Sequence, residues 1–182
     1  MSDEWKSVVR GLLSEVCCLR SEVAKINKMR MAAAIEGDFA VFLIGMRINK
    51  FWKIHKWLPV VTAMPRMLKE LTENPEAGLL GFQQHFGLRS ATVIQYWRSF
   101  DQLEAYARSK NAAHFPAWAA FNKNVASNGD VGIWHETYLV QSGQFETIYN
   151  NMPEYGLGKA SNLVRASGKR ETARGRIEGI GD

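Results

Sequence analysis

Phe39-Ala-Val-Phe-Leu-Ile-Gly-Met-Arg-Ile48 is an apolar, β-favouring run of strand length, and its reading decides the fold. Successive side chains of a strand point to opposite faces, and both alternating sets here are apolar as far as Arg47. Such a strand belongs in the centre of a sheet with both faces covered. The flanking sequence must supply the cover.

Downstream, Trp57, Val60, Val61, Met64, Met67, Leu68 and Leu71 recur at helical spacing, so a long amphipathic helix is expected to run to about Glu73, before Asn74-Pro75 stops it. Pro59 suits its first turn, and Pro65 should kink it. Residues 78–86 and 91–100 are two further strand candidates, and the connector Gly87-Leu-Arg-Ser90 reads as an antiparallel hairpin. Asp101 can cap a second helix whose apolar face is Leu103, Tyr106 and Ala107. Asn111 interrupts that helix, and Pro116 restarts a piece running to about Val125. Asn128-Gly129-Asp130 is a turn, Val131–Val140 the fourth strand, and residues 145–149 a short fifth element. The order strand, helix, strand, strand, helix, strand is that of an α+β fold, a ferredoxin-like βαββαβ domain with both helices on one face of an antiparallel sheet. Two such sheets packed face to face make a dimeric α+β barrel.

Upstream, Trp5, Val9, Leu12, Val16, Leu19, Val23 and Ile26 alternate steps of four and three. β-Branched residues at a and mostly leucine at d favour a parallel two-stranded coiled coil. Val8 and Leu13 widen the stripe, as they would in a helix folded back on its own domain. The expected plan is an N-terminal amphipathic helix over 1–30, a connector over 32–38 within the approach to a barrel domain over 34–157, and a basic, loosely ordered tail over 158–182.

With 182 residues, 46% of them apolar and 11% aromatic, the chain has ample material for a core. Its net charge of +5 is scattered: Lys169, Arg170, Arg174 and Arg176 lie in the tail, and Lys50, Lys53 and Lys56 precede the first helix. That pattern argues against a phosphate track, so no nucleic-acid partner is expected. No apolar run approaches the ~18 residues of a membrane span, and no secretory signal pattern opens the sequence. The expectation is a cytoplasmic protein with no membrane partner. Cys17 and Cys18 are adjacent and cannot easily bridge each other, so neither a disulfide framework nor a thiolate metal cage is expected.

Two neighbouring stretches concentrate the polar groups that a pocket would use. In the first, His114, Trp118 and Asn122 would stack at four-residue spacing along one helix, except that Pro116 interrupts it. In the second, strand alternation points Trp134 and Glu136 one way and Ile133, His135 and Thr137 the other. His135 and Glu136 therefore cannot easily act on one ligand, and the side facing the helices should carry the site. Arg47 could hold an enolate or carboxylate, and an edge salt bridge is the equal alternative. Glu136 is expected to pair with Arg47 or Arg98. Tyr96 and Trp97 alternate across the third strand, so one lines any cavity and the other faces the dimer contact or the opposite face of the sheet. His55 and His85 should be exposed. The candidates for chemistry are His114, His135, Arg47 and Asn122, and those for substrate contact are Trp118, Trp97, Trp134 and Tyr96.

Phe42-Leu-Ile-Gly-Met-Arg-Ile-Asn49, Met64-Pro-Arg-Met-Leu68, Gly78-Leu-Leu-Gly81, Gln95-Tyr-Trp-Arg-Ser-Phe100, His114-x-Pro-x-Trp118, Phe121-Asn122, Val131-Gly-Ile-Trp-His-Glu-Thr-Tyr138 and Asn151-Met-Pro153 resemble the monooxygenase family related to a fumagillin-pathway enzyme. The resemblance covers roughly residues 34 to 157. It implies a dimeric α+β barrel like that of the antibiotic-biosynthesis monooxygenases, small enzymes that oxidise aromatic or polyketide substrates without metal or flavin. The expected activity is oxygenation of a small aromatic or enolisable substrate by a cofactor-free homodimer or higher homo-oligomer. Two alternatives stand beside it. Other dimeric α+β barrels hold haem through a histidine, a role open to His114 or His135. A non-catalytic ligand-binding or scaffold protein would instead depend mostly on its heptads.

Overall fold

The computed structural model describes residues 24–109 and 129–178. Its elements are β1 (Met31–Ala34), β2 (Phe39–Ile48), α1 (Ile54–Glu73), β3 (Leu79–Phe86), β4 (Ser90–Trp97), α2 (Phe100–Arg108), β5 (Val131–Val140), α3 (Leu157–Ala160), β6 (Asn162–Arg165) and α4 (Ala173–Glu178). The apolar run Phe39–Ile48 is β2, and it is central. β4 pairs along one side of it and β5 along the other, both antiparallel, and β3 closes the order β3-β4-β2-β5. This is the ferredoxin-like arrangement of an α+β domain.

Paired residues share a face, so the register sorts the sheet into two sides. Ala40, Phe42, Met46 and Ile48 of β2 face the helices. At one end Ala40 and Trp97 pack with Leu71 of α1 and Leu103 of α2. At the other, Met46, Ile48 and Val131 pack with Trp57, Val60 and Val61. Phe39 and Val41 point to the opposite, outer face, where β1, α3 and the chain around Phe145 and Tyr149 cover them. Phe145 meets Phe39 edge-on at 5.3 Å. Gly81 admits this cover: a Cβ there would lie 2.9 Å from Ala160 Cβ.

Several expectations are corrected. The segment 158–182 is not a loose tail over its described part: β6 pairs with β1, which was read as a connector, in register from Met31↔Arg165 to Ala34↔Asn162. That partnership spans most of the chain, so local composition carries no trace of it. Arg176 of α4 is buried, bonding Glu146 through Nε at 2.6 Å and donating to the carbonyls of Arg170 and Glu171. The candidate helix over 1–30 does not include residues 24–30, where Asn27 makes an antiparallel bridge to Met152. The rest of that helix, with Cys17 and Cys18, lies outside the described residues, as does the helical piece expected from Pro116. Residues 145–149 form no strand, although Tyr149 bridges Met31.

α1 begins at Ile54, so Pro59 is inside it rather than in its first turn, and it continues through Pro65. Both prolines are exposed, where water can satisfy the carbonyls that their rings leave unpaired. The cap of α2 is Ser99, whose Oγ accepts from Gln102 N at 3.2 Å, rather than Asp101. β4 ends at Trp97, earlier than expected, and moves the helix start upstream. Among the described residues no helix is long and apolar enough to cross a membrane.

Candidate functional site

Of the site candidates that the structure describes, His135 and Trp134 lie on β5, Arg47 on β2, and Tyr96 and Trp97 on β4; an ionic clamp fixes where β5 begins. Asp130 is almost fully enclosed. Lys50 Nζ approaches its Oδ1 at 2.8 Å, and Lys53 Nζ its Oδ2 at 2.9 Å. The hydrogen bond from Lys50, then that from Lys53, holds this carboxyl below the usual carboxylate range against the opposing effect of burial. The Asp130 carbonyl accepts from Asn49 N and Lys50 N, and Asn49 Nδ2 donates to Gly129 O. The loop after β2 is thereby tied to the start of β5, immediately before the Ile48↔Val131 pair. A one-residue slip would send every β5 side chain to the other face, so this clamp helps to decide where His135 points.

His135 pairs with Ile44 and lies on the helix-facing side, as expected of the strand side bearing a site. It is exposed, and its ring centroid lies 5.7 Å from that of Phe42. Ile133, also exposed, shares that side. His135 can therefore meet a ligand against an apolar wall. His114, Trp118 and Asn122 lie outside the described residues.

The other candidates separate from His135. Trp97 faces the helices but is fully buried; its Nε1 donates to Gln95 Oε1 at 2.9 Å, and its ring packs against Tyr106 at 5.8 Å. It fills the core. Tyr106 in turn donates to Glu70 Oε2 at 3.0 Å, and burial together with that bond pushes its phenol far up. Arg47, Trp134 and Tyr96 all belong to the outer face. Trp134 crosses Gly45, and Arg47 is exposed beyond it, beside Gly132. Tyr96 is enclosed by the covering chain with Tyr149 and Leu157, and burial pushes its phenol up, with Tyr149 adding to the shift. Arg47 and His135 are thus not brought to one ligand within the subunit.

Glu136 accepts from the Tyr138 hydroxyl at 2.7 Å, the partner that the structure gives it in place of Arg47 or Arg98. That bond pushes the Tyr138 phenol up. His55 and His85 are both exposed, and His85 Nε2 lies 3.4 Å from the Tyr155 hydroxyl. A recess of about 550 Å³ lies away from His135, between β1, the chain around Thr147 and the side chains of Arg98 and Arg176. Among the described residues no three His, Cys, Asp or Glu side chains converge as a metal ion would require.

Two features escaped the sequence reading. The Asp130 clamp joins residues nearly eighty positions apart, and Asp130 by itself looks like a turn residue. The Arg176–Glu146 pair was hidden in a stretch whose basic composition resembles a tail.

Residues 39–157 match the model of the family described as Monooxygenase af470-like. No curated protein matches the chain. Among solved structures, it is similar to SnoaB, a cofactor-independent oxygenase from Streptomyces nogalater, at 12% identity over 56% of this chain and 91% of that one, with a TM-score of 0.40. It is also similar to a dimeric protein of unknown function and ferredoxin-like fold from Bacteroides fragilis, at 8% identity over 55% and 96% of the two chains, with a TM-score of 0.39. Both likenesses are distant, and the family match is what identifies the chain.

Proposed function

This chain belongs to the monooxygenase af470-like family, and from that premise we propose that it oxygenates a small aromatic or enolisable organic substrate without metal or flavin. The observation that supports the reading is His135, exposed on the helix-facing side of β5 against Phe42 and inside the span that matches the family. A histidine there serves as general base, removing a proton from the substrate to leave an enolate or phenolate. Carbon so activated can pass electrons to molecular oxygen. In net terms a CH₂ group becomes C=O: one oxygen atom enters the product, and the other leaves as water with the two hydrogens. The substrate supplies all four electrons that reduce the oxygen molecule, so no external reductant is consumed.

His114 and Asn122 remain proposed members of the site, His114 as base and Asn122 as donor to the developing anion, with Trp118 as an aromatic wall. Trp134 is assigned instead to the outer face, and Arg47 to the end of that face beside the β3–β4 turn. On that face, away from Arg47, the part of the sheet left open by the covering chain, with Tyr138, is the proposed contact of a homodimer in the cytoplasm.

Oxygen uptake with a panel of phenols and enolisable polycyclic ketones tests the assignment. Loss of turnover in His135→Ala or His114→Ala, with His85→Ala unaffected, supports it. Equal loss in His85→Ala, or no loss in any of the three, removes the histidines from catalysis. A Soret band in protein from haem-supplied cells would transfer the reading to a haem enzyme.

A further inference from the structure

We propose that the end of the sheet formed by the loop after β2 and the β3–β4 turn docks on an anionic lipid surface. Trp52 is 72% exposed, Leu88 90% and Phe86 67%, with Phe51 at 38%. Single exposed apolar residues are ordinary; four large ones on two adjoining loop tips are not. The two loops touch, because the Arg89 guanidinium lies over the Phe51 ring at 5.9 Å and Ile48 N donates to Arg89 O.

The platform is also stiff. Trp57 Nε1 donates to Phe51 O at 3.0 Å and Lys53 N to Lys50 O, while Gly87 N to Ser90 O closes the hairpin turn. Loop tips held in this way lose little further backbone freedom on meeting a bilayer.

Charge selects the occupant. Lys50 and Lys53 share a single carboxylate, Asp130, which leaves an excess of positive charge. Arg47 and Arg89 have no carboxylate partner among the described residues. A second copy pressed patch to patch would oppose these cations to one another. Anionic headgroups neutralise them while Trp52 and Leu88 enter the interface, the usual division between aromatic anchors and basic flanks. The expectation of no membrane partner came from the want of a spanning segment, and surface contact needs none. The inference does not rest on the oxygenase reading, because lipid binding is measured without turnover.

Co-sedimentation of the full chain with phosphatidylcholine vesicles, with and without phosphatidylserine, is the test. Binding to the serine-lipid vesicles that weakens with salt is expected, and about tenfold less of it in the double variant Trp52→Ala/Leu88→Ala and in Arg47→Gln/Arg89→Gln. Far-UV circular dichroism checks that both variants are folded. Brominated lipid should quench the wild-type tryptophan emission, and less so in Trp52→Phe. Absence of wild-type binding to either vesicle overturns the proposal, as does binding that both folded variants retain. A fall in solution mass of the apolar double variant without lipid binding by the wild type would make this face a contact between copies, and also overturns it.

Discussion

The indole of Trp134 crosses the backbone of Gly45, so close that a Cβ on residue 45 would stand 2.5 Å from Trp134 Nε1. These residues are directly paired across β2 and β5. The outer face of the central strand is therefore shaped by the absence of one side chain and the presence of another.

Gly45→Ala should displace the indole and destabilise the fold by about 1–3 kcal/mol, the usual range for overpacking. Adding Trp134→Ala should recover part of that loss. A double-mutant cycle by urea unfolding measures the coupling; strict additivity would show that the ring yields freely.

Trp97→Ala should cost about 3–5 kcal/mol, because it empties a fully enclosed site between the sheet and both helices. Trp97→Phe should cost about 1–3 kcal/mol, largely by leaving Gln95 Oε1 buried without its donor. Thermal melts check both values. A substrate-contact role would instead appear as lost turnover at unchanged stability.

Asp130 should make the fold acid-sensitive. Its folded pKa is depressed, first by the Lys50 bond and then by the Lys53 bond, so its stabilisation is fully present above the ordinary carboxylate range and is lost as pH falls through the folded value. Asp130→Asn does not titrate. The stability gap between wild type and variant should be widest at about pH 7 and narrow towards about pH 3, as urea melts across that range would show. A gap independent of pH would mean that the lysines act through packing alone.

Arg176→Met should destabilise by about 3–5 kcal/mol, since it leaves Glu146 and two carbonyls without their buried donor. Hydrogen exchange should speed up in β1 and β6 before the four-stranded sheet, because the pair ties the chain that follows β6 to the segment before Thr147, whose hydroxyl accepts from Ala33 N of β1. Uniform acceleration across the molecule would contradict that order.

The central strand was legible because apolar character on both alternating faces has one common structural solution. Four strands, two helices and their order followed from periodicity, and simple alternation grouped His135 with Ile133 and Thr137 on one side of β5; which side meets the helices only the fold decided. Alternation also separated His135 from Glu136 and Tyr96 from Trp97. It could not say which of Tyr96 and Trp97 would be walled into the core, since burial depends on what arrives from the rest of the chain.

What tertiary structure alone decided is held by long-range partners. Ala32 to Ala34 looked like a connector until β6 came to pair with it, and the basic stretch after Gly158 looked loose until Glu146 drew Arg176 inside. Lys50 and Lys53 looked like solvated charge, and Asp130 like part of a turn, until the fold set them at hydrogen-bond distance. Local pattern records what a segment can bury against a generic neighbour. Ion pairs and ribbon pairing between segments far apart in the chain depend on which neighbour arrives, and only the folded chain supplies it.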